Sequence, residues 1–200
     1  MDVKKIRISN RRQFLARTVP AGALVCLGCK ILFAGPGQEN KFSENPGITT
    51  EEMYRVFYGM SIPVLQILAR DFGRDKLVKE LTKASAENWS KMIATMAKDL
   101  PRRDMKAFVG LTEGMMAAAP FNKAFAYEVV ESSDKVYQEK VTQCLPAILW
   151  REMNAADLGY ALECSSVDAQ AKAFNPKMKG ELLKTLMKGD SFCLARFELV

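Results

Sequence analysis

Cys144, Cys164, Asp168 and Cys193 are the side chains in this sequence whose types could carry covalent or proton-transfer chemistry. The chain contains no histidine, so it cannot run a Ser-His-Asp or Cys-His mechanism or build a His-ligated metal site. A general base working near neutral pH must then be a carboxylate, a thiolate, a lysine or a tyrosine with a shifted pKa. In one reading a thiolate acts as nucleophile or acid/base while Asp168 or Glu163 handles protons. Cys164 and Asp168 are four apart and share a face if that stretch is helical. Cys144 falls just before a predicted helix, where the positive end of the dipole lowers a thiol pKa. A second reading gathers the three cysteines, with Asp168, around zinc. The paired C-x₂-C knuckles of structural zinc are missing from this part of the chain, so no metal or other cofactor is expected. Against both stands the plain alternative that each thiol is a small buried hydrophobe.

The elements that must position these residues divide into a helical and a strand-rich part. Thr49 to Glu52 has capping-box spacing and starts a helix. Its apolar residues Met53, Phe57, Met60, Val64, Leu65 and Leu68 run through Pro63, which should bend or split it, and Gly73 ends it. A second helix spans about 74–100 to Pro101, and a third about 102–119 to Pro120. The methionines along them read as core filler rather than a binding groove. After Pro120 the pattern turns β-branched and aromatic: residues 121–131 and 135–143 read as a hairpin around Ser132-Ser133-Asp134. Short helices follow over 145–153, 157–164 and 167–174. A second hairpin then joins 182–187 to 192–199 through Gly189-Asp190. On its last strand, Cys193, Ala195, Phe197 and Leu199 point to one side. Helices preceding an antiparallel sheet built from two hairpins define an α+β fold.

Charge narrows the function. Residues 1–35 hold seven basic side chains against Asp2 alone, which accounts for the whole net charge of +6. Residues 36–200 hold 22 basic and 22 acidic residues. A neutral body has no field to gather phosphates, so nucleic-acid binding is not expected. Within 1–35, Ser9-Asn10-Arg11-Arg12-Gln13-Phe14-Leu15 resembles the twin-arginine export motif, and the apolar run Val19–Ala34 follows it. The expected organisation is a signal or anchor segment at 1–35, a linker at 36–48 and one domain over 49–200. It implies an exported, periplasmic or extracytoplasmic protein that meets the twin-arginine export machinery and touches the membrane only through its N-terminal segment, which anchors it if uncleaved. Cys26 and Cys29 in that segment read as apolar filler, and the odd number of cysteines left beyond it argues against a full disulfide framework.

Taken together, Val141-Thr142-Gln143-Cys144, Gly159-Tyr160-Ala161-Leu162-Glu163-Cys164, Asp168, Ala173-Phe174-Asn175-Pro176-Lys177, Lys184-Thr185-Leu186-Met187, Gly189-Asp190 and Cys193 resemble the C-terminal half of the 2-aminothiazoline-4-carboxylate hydrolase family. The resemblance implies a hydrolase opening a C–N bond of a small cyclic amidine or amide, such as 2-aminothiazoline-4-carboxylate, which gives N-carbamoylcysteine. Cys144, Cys164, Asp168 and Cys193 would then be catalytic. Asn175, Lys177 and Arg196 would bind substrate, the two cations by charge-assisted contact with its carboxylate. Leu194 departs from the polar or acidic residue that the family often has after the last cysteine. Two rivals remain at this stage: a small-molecule binding or sensing domain without activity, and a thiol-based redox or metal-handling protein.

Overall fold

The computed structural model describes residues 47–200. The leader, the twin-arginine-like motif, Cys26, Cys29 and most of the linker lie outside the described residues.

The capping box closes as its spacing requires. Thr49 Oγ1 accepts the Glu52 N–H at 3.1 Å, and the Glu52 carboxylate accepts the Thr49 N–H at 2.7 Å. Helix α1 (Thr50–Phe72) runs unbroken through Pro63. The carbonyl that Pro63 cannot serve belongs to Gly59, which is exposed and can be hydrated. Tyr58, Ile62 and Ala69 are its buried residues, whereas Met60 and Val64, expected inside, face solvent. Gly73, at φ +94°, ends α1 and opens α2 (Arg74–Met96). Helix α3 (Met105–Ala117) starts three residues later than the sequence suggests, because Asp104 caps it by accepting the Ala107 N–H at 2.9 Å.

Phe121–Ala124 is one helical turn, α4, so the first strand is shorter than its β-branched pattern implies. Strands β1 (Phe125–Ser132) and β2 (Val136–Cys144) form the first hairpin. Helix α5 (Leu145–Glu152) and the short α6 (Ala156–Gly159) follow; a π-helical turn then covers Tyr160–Cys164, and α7 spans Val167–Phe174. Strand β3 is Met178–Lys184, four residues upstream of its expected start. A 3₁₀ turn at Leu186–Lys188 and a loop lead to β4 (Cys193–Leu199). The antiparallel order β1-β2-β4-β3 completes an α+β fold with helices packed against the sheet.

Two apolar clusters hold the fold. In one, Phe108 of α3 packs its ring on Phe197 at 4.7 Å, Phe174 at 5.2 Å and Tyr137 at 6.4 Å, joining α3 and α7 to the sheet. In the other, Tyr58 of α1 meets Trp150 of α5 edge to face at 5.6 Å, with Leu158 and Met187 around them. Helix α7 lies so close to β3 that a Cβ at Gly180 would sit 2.5 Å from the Val167 carbonyl oxygen. Backbone cannot rotate away as a side chain can. A Gly180→Ala variant should therefore lose about 1–3 kcal/mol of stability, read as a lower urea midpoint at unchanged slope.

Candidate functional site

Strands β2 and β4 are neighbours, with Val141 opposite Cys193, so the end of β2 carries Cys144 to the place where β4 begins. Cys144 is the N-cap of α5, and its sulfur accepts the Ala147 N–H at 3.4 Å. The Cys193 sulfur accepts the Leu186 N–H at 3.3 Å and approaches Thr185 Oγ1 at 3.8 Å. Thr185 is itself buried and tied down by Asp190, whose carboxylate accepts the Thr185 N–H at 2.7 Å. Gly189, at φ +97°, allows the chain to turn back there.

The third thiol arrives on the π-helical turn. Its backbone is clamped by Ser85 of α2, whose hydroxyl donates to the Leu162 carbonyl at 2.6 Å. The turn brings Glu163 and Cys164 to the same place, and Tyr58 reaches from α1 to donate to Glu163 Oε1 at 2.9 Å. The indole N–H of Trp150 is buried without a well-formed hydrogen bond, yet lies close enough to Glu163 to favour its ionised form. Cys144 and Cys164 thus each stand within electrostatic reach of both Glu163 and Cys193, and each of the three thiols is free and only half-buried.

Burial dominates the proton equilibria. It pushes the Glu163 carboxyl above the usual range, more than Tyr58 and Trp150 pull it back. Desolvation lifts Cys144 to about 12, although the Ala147 N–H favours the thiolate. This outweighs the helix-end lowering that its position in the sequence suggests. Cys164 is likewise pushed up to about 12, by burial first and then by Cys193 and Glu163, with Thr185 and Lys188 opposing. Cys144 and Cys164 are therefore neutral thiols at physiological pH, with little thiolate for nucleophilic attack.

Asp168 is placed elsewhere. The helix that would put it on one face with Cys164 is interrupted: Ser165 and Ser166 form a turn, and α7 starts afresh at Val167. Asp168 instead pairs with Lys172 at 2.6 Å and accepts the Gly180 N–H at 3.3 Å, in an open groove shared with Lys177 and Lys179. Burial acts to raise its pKa, but the Lys172 contact and the Gly180 N–H outweigh it and hold Asp168 below the usual carboxylate value. Asn175 builds a turn, donating to the Arg103 carbonyl at 2.6 Å and accepting the Lys177 N–H at 2.9 Å. Arg196 is taken up by Glu198 at 2.6 Å, Glu131 at 2.9 Å and Gln138 at 3.0 Å. Among the described residues, no hydrogen bond or ion pair joins Asp168, Asn175, Lys177 or Arg196 to a thiol of the cluster. Tyr58, Trp150, Thr185 and Lys188 were not singled out as site residues by sequence. Three of them are apolar-patterned or buried, and only folding reveals that their polar atoms converge. Among the described residues, no group of three or more Cys, Asp or Glu side chains is arranged to hold a metal ion.

A helix-and-sheet domain with a desolvated carboxyl and free thiols near it is the class of protein that this geometry defines. A family model for L-2-amino-thiazoline-4-carboxylic acid hydrolase matches residues 53–197, and the chain belongs to that family. No curated protein matches it by sequence. Among solved structures, the phenol-responsive sensory domain of the transcription activator PoxR, with phenol, is similar at 11% identity and a TM-score of 0.48, covering 76% of this chain and 75% of that one.

Proposed function

We propose that the chain is a hydrolase acting on a small cyclic amidine carrying a carboxylate, with Glu163 as the proton-handling group and Cys144, Cys164 and Cys193 lining the site around it. The observation that carries this reading is the Glu163 carboxyl, desolvated and raised in pKa, held by Tyr58 and set among three half-buried thiols. A carboxyl raised above its usual value holds a proton more readily than a free one and can return it, the work that a histidine-free chain must assign to another group. Membership of the thiazoline-carboxylate hydrolase family supports the reaction class.

Atom balance decides which bond opens. To leave a carbamoyl group on nitrogen, water must add at the amidine carbon and the ring C–S bond must then break. The reaction is therefore hydration of C=N followed by thiolate departure, in place of the C–N cleavage expected from the sequence. Glu163 takes a proton from the attacking water and passes it to the ring nitrogen. As the tetrahedral carbon collapses to a carbonyl, the C–S electron pair goes to sulfur. Glu163 then relays the hydroxyl proton to that sulfur, which ends as a thiol. Neutral Cys144 and Cys164 are suited to surround this carbon as weak S–H donors without competing as nucleophiles.

The test is turnover of 2-aminothiazoline-4-carboxylate by the purified protein, followed by release of the product thiol and identification of N-carbamoylcysteine. Asp168→Asn should leave kcat/KM within about twofold of wild type, because its partners are Lys172 and Gly180. Saturable binding of the substrate without turnover would favour the sensing alternative. A thousandfold loss in Asp168→Asn would return the chemistry to the groove beside α7. Placement outside the cytoplasm, by the N-terminal segment, remains part of the proposal, and fractionation of cells expressing the full chain tests it.

A further inference from the structure

The substrate named by the family carries a carboxylate, and the two cations suggested by sequence for that role are not at the thiols. Lys177 lies in the Asp168 groove, and Arg196 is occupied by two carboxylates and an amide. Another cation is there instead. Lys188 ends the 3₁₀ turn whose first residue, Leu186, donates to the Cys193 sulfur. Its ammonium stands over the ring of Tyr160, 3.6 Å from the centroid, and Tyr160 opens the π-helical turn that carries Glu163 and Cys164. Lys188 is exposed, and no carboxylate of the described residues forms an ion pair with it. It is near enough to Cys164 to favour that thiol's ionised form.

We infer that Lys188, held over Tyr160 at the solvent edge of the thiol–carboxyl cluster, is the residue that recognises the substrate carboxylate. The inference rests on the proposed hydrolase site and adds its specificity element. A ring face fixes an ammonium by attraction to the π cloud without neutralising it, so the charge stays available to an incoming anion. The cluster then offers a carboxyl inside, Glu163, and a cation at its edge, Lys188. That arrangement selects a small ligand with an amidine at one end and a carboxylate at the other. A ligand without a carboxylate would gain nothing from the Lys188 charge.

Binding and turnover of two probes decide it: 2-aminothiazoline-4-carboxylate, and 2-aminothiazoline, which lacks the carboxylate. In Lys188→Met, the Kd and KM for the first should rise about 10-fold, while both values for the second stay as in wild type. Lys188→Arg should restore most of the loss, and Tyr160→Leu, which removes the ring face under the ammonium, should raise the Kd for the first probe by less than Lys188→Met does. Equal effects of Lys188→Met on both probes would overturn the assignment. Should wild type turn over neither probe, the hydrolase reading falls, and the calorimetric Kd values still judge Lys188. Failure of wild type to bind the carboxylate probe more tightly than its truncated partner sinks both.

Discussion

A Glu163→Gln variant should lose about 10²–10⁴ in kcat/KM, the range that a positioned general base contributes, while keeping the wild-type circular dichroism spectrum. Gln occupies the same volume and its carbonyl can still accept from Tyr58, so the change removes the proton exchange and leaves the packing. The wild-type rate should fall toward acid as Glu163 protonates, with an apparent pKa above the usual carboxylate value. The same group predicts how stability moves. Its folded pKa is raised, so its contribution is fully present below the unfolded value of 4.5 and is lost as pH rises through the folded pKa. Urea titrations should show Glu163→Gln gaining on wild type as pH increases through that window, because the variant does not bury a charge. A pH-independent difference, or a loss of activity below tenfold, would remove Glu163 from the proton-handling role.

Trp150→Ala should be the most damaging single truncation to stability, at about 3–5 kcal/mol. Trp150 is fully buried at the meeting of α1, α5 and α6, where it contacts Tyr58 at 5.6 Å and fills the space beside Gly159. Against a typical domain stability of about 5–15 kcal/mol, the loss is large enough to leave a substantial unfolded fraction on mild heating. Gly159 supplies an internal check. A Cβ there would lie 2.5 Å from Trp150 Cγ, so Gly159→Ala alone should be destabilising. In the Trp150→Ala background the added methyl enters vacated space, and the two changes should combine to less than their sum. Strict additivity in thermal melts would mean that the two positions do not share this contact.

Much of the architecture was legible because it rests on local rules. The Thr49–Glu52 box, Gly73 and the span of α7 were all set by neighbours along the chain, whereas α2, expected to run on to Pro101, ends at Met96. The places where sequence misled are those where distant packing overrode a local pattern. Residues 121–124 have strand composition yet form a helical turn, and the stretch from Asp157 to Cys164 reads as an α-helix yet ends as a π-helical turn. That second departure mattered most for the site. An uninterrupted helix would have aligned Cys164 with Asp168. The π-helical turn, followed by the break at Ser165-Ser166, instead directs Glu163 and Cys164 to the thiol cluster and Asp168 to Lys172. The three cysteines could be nominated from residue type alone. Tyr58, which is 105 residues away from Glu163 in sequence, could not.

Pairing of Val141 with Cys193 has a consequence for how the two sulfurs on the sheet can change. The main-chain rungs fix where the backbone that carries each of them lies. Sliding β4 along β2 by a single residue would invert its side chains, sending Cys193 to the outer face and Leu194 inward. Intermediate registers are inaccessible to the ladder: Cys193 keeps its face of the sheet or leaves it altogether.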